Sequence, residues 1–333
     1  MSERLRAVIT DFVQEPLDPE RQVLGDLAAV EALHAFSEAE LEGRVEEADA
    51  LMVYHEVPIT EALLVRLQKC RVISRCGVGY DNVDLEAARR CGIPVCNVPD
   101  YGTEDVADSA VSSAVAMVRG TFFLNSRLRA GPGPWNFSQA APLERVRGAV
   151  LGIVGLGRIG TAAALRARAF GLDVVFYDPY KPDGYAKSLG IRRAESLEEL
   201  LEESFVVSLH CPLTPETHHM IDAGTLAQMR RGAFLVNTAR GAVVDTAALP
   251  DALASGQLAG AAIDVLEVEP ARDDDPLLVA WRDPGHPAHH RLVLTPHTAF
   301  YCDQGMVELR SKGAQVCRRA LLGLPLRNVV NGV

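Results

Sequence analysis

Ala149-Val150-Leu151-Gly152-Ile153-Val154-Gly155-Leu156-Gly157-Arg158-Ile159-Gly160 runs from an apolar stretch through a glycine turn into a helical pattern. A second apolar run, Val174-Val175-Phe176-Tyr177, comes next, and Asp178 closes it eighteen residues after Gly160. Strand, glycine turn, helix, strand and acid in that order make a dinucleotide fingerprint. Gly155 makes the turn, Gly157 lets the backbone approach a pyrophosphate, and Gly160 lets helix and strand pack closely. Arg158 and Ile159 open a helix whose unpaired N–H groups face phosphate charge. Glycine turns between strands and helices are common, and only the flanking strands and the acid turn this one into a cofactor site. Asp178 can be an ordinary strand-end acid. Given the fingerprint it is expected to accept the ribose hydroxyls and repel a 2′-phosphate, favouring NAD(H) over NADP(H), with Lys181 nearby as an opposing charge.

The 333 residues suffice for two domains with real cores. A net charge of −11, with no basic block, argues against nucleic acid or an anionic membrane as partner, although a local arginine pocket can still hold an acidic substrate. Seven cysteines in no paired spacing point to reduced thiols and a cytoplasmic location. The N-terminus enters a strand-like run without a signal-peptide core, and no apolar stretch of membrane-spanning length is free of charge.

Apolar runs alternate with helical patterns along the chain, which predicts an α/β fold with parallel sheets. Early strands are expected at Ala7–Ile9, Ala50–Tyr54, Val72–Ser74 and Ile93–Asn97, with a helix at Thr60–Leu67. One helix is expected from about Glu104 to Arg129, then a break at Ala130-Gly131-Pro132-Gly133-Pro134-Trp135. Later strands fall at Phe205–Leu209, Phe234–Asn237, Ala261–Val265 and Leu292–Thr295, before a last helix over Cys302–Leu322. Because the fingerprint starts mid-chain, a cofactor lobe (103–300) is expected to be inserted into a discontinuous substrate lobe (1–102 plus 301–333). The cleft between them is the default place for chemistry.

Three later strands end in chemistry-bearing residues: Val236-Asn237-Thr238-Ala239-Arg240-Gly241, Asp264-Val265-Leu266-Glu267-Val268-Glu269-Pro270 and Thr295-Pro296-His297. In an open α/β sheet, ligands lie beyond the carboxyl ends of strands. Hydride transfer to a carbonyl needs a proton donor and the reverse needs a base. Histidine serves as both, a neighbouring carboxylate favours imidazolium, and arginine grips a carboxylate without losing its charge. Spacing alone leaves the set open. Arg240 can also pair with a helix end, His297 can be a core histidine, and Glu269 can be turn chemistry. His210-Cys211 and the histidines 286, 289, 290 and 297 lack compact ligand spacing, so no metal is expected, and 286–290 reads as a solvated loop.

The motif order resembles the D-isomer-specific 2-hydroxyacid dehydrogenase family over nearly the whole chain. The resemblance implies two parallel-sheet lobes, Rossmann-like and flavodoxin-like, with NAD as cofactor and a homodimer formed through the cofactor lobe. It makes Arg240, Glu269 and His297 the catalytic set. Segments such as Phe176-Tyr177-Asp178-Pro179-Tyr180 and Ser208-Leu209-His210-Cys211-Pro212-Leu213 look like the C-terminal-binding-protein branch, whose members are corepressors that retain the dehydrogenase fold. By the same likeness, Arg75 and Cys76 with the Gly77-Val78-Gly79 turn and Phe300 would face substrate, while His55, at a strand end in the first lobe, can be a core residue or face the substrate cleft. Thr103, His210, Cys211, Pro212, Thr217, Asn237, Thr238, Ala239, Asp264 and His297 would line the cofactor. Phe300 stands where that branch typically carries tryptophan, which implies a different substrate preference. Val78 stands where phosphite-oxidising relatives have lysine, which argues against phosphite. The implied reaction interconverts a small 2-oxo acid and its D-2-hydroxy acid. The alternatives are an NADH-sensing binding protein with vestigial catalysis and a dehydrogenase of a specialised anion such as a phosphonate analogue.

Overall fold

The structure, a computed structural model, describes residues 4–131, 133–140 and 142–333. Met1, Ser2 and Glu3 of the N-terminal reading and Pro132 of the expected break lie outside the described residues. The chain divides into two compact units, Met1–Gly102 with Cys302–Val333, and Thr103–Tyr301. The fold is α/β, with one parallel sheet in each unit.

In the first unit the strands are β1 (Leu5–Ile9), β2 (Ala28–Ala32), β3 (Ala50–Val53), β4 (Ile73–Arg75) and β5 (Val95–Asn97), in the order β2-β1-β3-β4-β5. Strand β2, Ala28-Ala29-Val30-Glu31-Ala32, has a half-exposed, mixed pattern that gives little periodic signal. The sequence-predicted helix at Thr60–Leu67 contracts to Glu61–Leu64, capped by the Thr60 hydroxyl, which accepts from Ala62 N. The final helix, Asp303–Leu321, packs on β3, β4 and the helix Asp18–Leu24. Its Gly313 permits that approach, because a Cβ there would stand 2.5 Å from Cys76 Sγ.

The second unit holds β6 (Val150–Val154), β7 (Asp173–Tyr177), β8 (Arg192–Arg193), β9 (Val206–Leu209), β10 (Ala233–Asn237), β11 (Leu258–Ile263) and β12 (Leu292–Leu294). Their order, β12-β11-β10-β9-β6-β7-β8, places the fingerprint strand β6 where the sheet's direction of growth reverses, the position at which such sheets take ligands. Both faces are covered, so β9 and β10 are buried along their whole length, as apolar runs without alternation require. On one face Leu151, Ile153, Phe176, Val206 and Val236 meet Ala107, Ala110 and Ala114 of helix Thr103–Val118 and Ala163 and Ala167 of helix Arg158–Ala169. Each large apolar side chain so buried contributes about 1.5–3 kcal/mol. An ion pair between Asp108 and Arg166 Nε ties the two helices together.

The expected single helix over Glu104–Arg129 is two, Thr103–Val118 and Thr121–Ala130. Gly120 sits between them at φ +68°, a left-handed conformation that ends the first helix. The second of these helices buries none of its residues. The 286–290 stretch is not a solvated loop. It leads into a short helix, Ala288–Arg291, whose His290 Nδ1 bonds Ser126 Oγ at 2.9 Å and whose His289 Nδ1 bonds Trp281 O at 2.8 Å. No described helix is long and apolar enough to cross a membrane.

Candidate active site

The glycine turn forms at the carboxyl end of β6. Gly155 has φ +89°, and a Cβ there would stand 2.8 Å from Cys211 N, so turn shape and close approach both demand glycine. A Cβ on Gly160 would meet Gly155 O at 2.2 Å, which is why the helix can start so close to the turn. Gly157, the residue before helix Arg158–Ala169, has nothing within 4 Å of where its Cβ would be. That open space beside the N-terminus of a twelve-residue helix fits an anion such as a pyrophosphate. Asp178 is placed by the turn itself: its Oδ2 accepts from Leu156 N at 2.8 Å and its Oδ1 from Tyr180 N at 3.0 Å.

Strand β9 ends in His210 and Cys211, which pack under the glycine turn. His210 Nε2 bonds Ser208 Oγ at 2.9 Å, and burial pushes its pKa down to about 4, so it is neutral at pH 7. Burial pushes the Cys211 thiol up to about 11 and Cys76 up to about 12, which removes both as thiolate nucleophiles. Thr217 Oγ1 donates to Pro212 O at 2.6 Å and accepts from Thr214 N at 2.8 Å, so it shapes the loop around the exposed Pro212.

At the end of β10, Asn237 is 0% exposed. Its amide donates to Arg240 O (2.9 Å) and accepts from Ala239 N (3.0 Å). Its side chain thus fixes the turn that carries Thr238, Ala239 and Arg240. Thr238 Oγ1 is buried without a hydrogen-bond partner and lines a cavity of about 160 Å³ with Ser109, Asp264, Thr295, Thr298 and Ala299. An orphaned hydroxyl in a small polar cavity is a site that a ligand's donor or acceptor would complete.

Asp264, at the end of β11, organises the segment after β12. Its Oδ1 accepts from Thr295 Oγ1 (2.5 Å) and Thr298 N (2.9 Å), and its Oδ2 from Ala299 N (3.0 Å). Its backbone carbonyl accepts from His297 N at 2.7 Å. The segment is thereby folded into a knuckle with His297 at φ +52°, its side chain projecting from the bend. His297 Nδ1 stands 2.7 Å from Glu269 Oε2, and Glu269 Oε1 accepts from Leu266 N at 2.7 Å. Phe300 lies edge-on to the imidazole, with ring centroids 6.0 Å apart. Of the two acids in the loop, Glu269 meets His297 while Glu267 meets His219 Nε2 at 3.1 Å. Sequence reasoning missed the turn-building roles of Asp264 and Asn237; a buried acid and amide at consecutive strand ends were the signal available.

The remaining sequence-predicted residues fall in the first unit. Arg75 is 5% exposed, with Nε on Asn82 Oδ1 (3.2 Å) and Nη1 on Cys76 O (3.2 Å). Its guanidinium lies over Gly77, where a Cβ would stand 1.7 Å from Nη1. Val78 and the half-buried Gly79 continue this turn, held by Asn97 Nδ2 donating to Val78 O at 2.7 Å. His55 stacks obliquely on Phe12, with ring centroids 4.8 Å apart. Thr103, by contrast, opens the first helix of the second unit.

Residues 111–299 match the family model of the D-isomer specific 2-hydroxyacid dehydrogenase NAD binding domain. A D-3-phosphoglycerate dehydrogenase of Methanocaldococcus jannaschii is 34% identical over 321 residues, 96% of this chain and 59% of its own length. C-terminal-binding protein 1 of Caenorhabditis elegans is 36% identical over 314 residues, 91% of this chain and 42% of its own. The chain therefore spans less than two thirds of these curated relatives. The crystal structure of an Aquifex aeolicus D-lactate dehydrogenase complexed with NAD and lactic acid superposes with TM-score 0.84 at 29% identity, covering 96% of each chain.

Proposed function

Since this chain belongs to the D-isomer-specific 2-hydroxyacid dehydrogenase family, we propose that it uses NAD(H) to interconvert a small 2-oxo acid and its D-2-hydroxy acid. The observation that carries this reading is the 2.7 Å contact between His297 Nδ1 and Glu269 Oε2 on the knuckle that Asp264 builds. A carboxylate accepts, so Nδ1 carries the proton in that contact and Nε2 is the nitrogen left to exchange one. In reduction, Nε2–H passes its proton to the substrate's carbonyl oxygen. In oxidation, neutral Nε2 takes the proton of the alcohol, and Glu269 stabilises the resulting imidazolium. Arg240, whose backbone Asn237 immobilises, holds the substrate carboxylate and polarises the ketone. Arg75 and the backbone of the 77–79 turn are assigned to the substrate carboxylate as well, and His55 and Phe300 to the substrate's side chain.

The residues present fit NAD. The open face at Gly157 and the N-terminus beginning at Arg158 would take its pyrophosphate, Asp178 its ribose hydroxyls, and Thr238 with Asp264 its carboxamide. When bound, the nicotinamide supplies or accepts the hydride. The Asp178 carboxylate disfavours a 2′-phosphate.

Trp135 and Phe137, 84% and 86% exposed, with Phe122 and Leu143 nearby in sequence, are assigned to a homodimer interface formed with helix Thr121–Ala130. The seven cysteines, all free thiols, suit the cytoplasm.

The test is NADH oxidation at neutral pH across 2-oxo acids from glyoxylate to branched and aromatic ones, with His297→Ala as control. Turnover on one class of acid, abolished in the control, is the expected result. Undiminished turnover in His297→Ala, or none on any acid while NADH still binds, would overturn the proposal.

A further inference from the structure

Outside the His297–Glu269 pair, another group of side chains among the described residues converges with the donor set of a metal centre. His218, His219 and Glu267 each offer one ligand atom, and these atoms all lie within 4.8 Å of one another. We propose that they form a site for one divalent transition ion of the zinc class, joining the 214–219 loop to the loop after β11.

The backbone makes this grouping unusual. Consecutive residues on an extended chain point to opposite sides. His219 instead adopts φ +49°, and the two rings come to lie stacked on one side, with centroids 4.0 Å apart and planes 29° from parallel. A non-glycine residue in that region costs on the order of 1 kcal/mol and persists only where its surroundings hold it. The holding contacts are His218 N to Thr214 O (2.9 Å) and His219 N to Ala242 O (2.8 Å). The third ligand arrives on a different loop that is seated just as closely. A Cβ on Gly241 would stand 1.9 Å from Leu266 C and 2.3 Å from Glu267 N, so the Glu267 backbone rests directly on the glycine. Both halves of the group thus pack on the 241–244 segment, and His219 Nε2 already stands 3.1 Å from Glu267 Oε2.

Two imidazoles and one carboxylate are borderline donors. They suit Zn²⁺, Co²⁺ or Ni²⁺ and poorly match Mg²⁺ or Ca²⁺, which prefer oxygen. Zinc takes imidazole nitrogen and carboxylate oxygen at about 2.0–2.2 Å, so the three atoms, within 4.8 Å of one another, would draw closer around one ion. Three protein ligands at the surface leave the fourth position to water. Glu269 lies two residues beyond Glu267, so an ion here would also tether the loop that carries it.

The test is calorimetric titration of the chelator-stripped full chain with ZnCl₂, and with CoCl₂ followed by its visible ligand-field absorption. One equivalent is expected, with affinity falling at least about tenfold in each of His218→Asn, His219→Asn and Glu267→Gln, and unchanged in His286→Asn. Asparagine tolerates the left-handed backbone of position 219. Should that variant still misfold by circular dichroism, the surface changes His218→Asn and Glu267→Gln decide. Absence of saturable binding, or equal affinity in wild type and these variants, would overturn the site.

Discussion

Two buried aspartates at strand ends, one in each unit, build almost the same device and put it to different use. Asp11 follows β1 and is 0% exposed; Asp264 follows β11 and is 5% exposed. Each accepts a threonine hydroxyl at 2.5 Å on Oδ1, from Thr10 and from Thr295. Each then gathers backbone N–H groups of a later segment. Asp11 takes those of Tyr54, Glu56 and Val57, and Asp264 those of Thr298 and Ala299. Each gathered segment displays a histidine. His55 packs against the ring of Phe12, whereas His297 meets the carboxylate of Glu269. The scaffold physics is shared, and under the proposed function the histidine's neighbour decides whether the device presents a contact surface or a proton. A buried carboxylate with several N–H donors is a rigid clamp in either case.

The sharpest way to break this comparison is to remove the histidines themselves. His297→Ala should lower kcat by about 10³-fold or more, while His55→Ala should act mainly on KM, by about tenfold or less. Comparable kcat losses would mean that the two devices do the same work.

Next come the acids of one loop. Glu269→Gln should cost about 10²-fold in kcat, because a neutral amide no longer stabilises imidazolium at Nδ1. Glu267→Gln, whose carboxylate faces His219, should stay within about twofold. Steady-state kinetics of both variants on the identified 2-oxo acid would expose a reversed ranking.

The clamps should be matched in stability but not in activity. Asp11→Asn and Asp264→Asn each turn one acceptor oxygen into a donor facing N–H groups, at a cost of about 2–3 kcal/mol. Denaturant unfolding should show similar losses, with the kcat defect confined to Asp264→Asn. Equal catalytic defects would end the distinction.

A last effect, on stability alone, concerns His210, a third strand-end histidine, which is kept neutral by burial. Its folded pKa of about 4 lies below the ordinary 6.5. Its contribution is therefore complete above pH 6.5 and lost as pH falls toward 4, where the unfolded chain takes up a proton that the folded chain refuses. The whole shift corresponds to about 3 kcal/mol. Unfolding of His210→Gln between about pH 7 and about pH 4.5 should show a correspondingly shallower pH dependence than wild type.

The periodic parts of the molecule were legible in the sequence. The apolar runs of β6, β9 and β10 are buried on both faces and show no alternation, so they announce parallel strands. The fingerprint turn was legible because each glycine answers a local backbone demand. Less legible were β2, with its mixed pattern, and the break at Gly120, where apolar periodicity continues across a left-handed residue. Within the site, Arg240, Glu269 and His297 stood out as residue types at strand ends. The hydrogen bonds by which Asn237, Asp264 and Thr217 hold backbone turns were not legible, because they run to loop atoms that only the folded chain brings beside them.

By itself the sequence determined the fold class, the dinucleotide turn and the membership of the family, since these rest on local chemistry and on periodicities of about two and about 3.6 residues. The tertiary structure decided which acid meets which histidine. Glu267 and Glu269 stand two residues apart in one loop, and nothing in their local sequence separates them. The path of that loop across Gly241 and the knuckle that Asp264 imposes on 295–299 send Glu269 to His297 and Glu267 to His219. Pairings of that kind depend on distances between strands far apart in the chain, which only the assembled sheet defines.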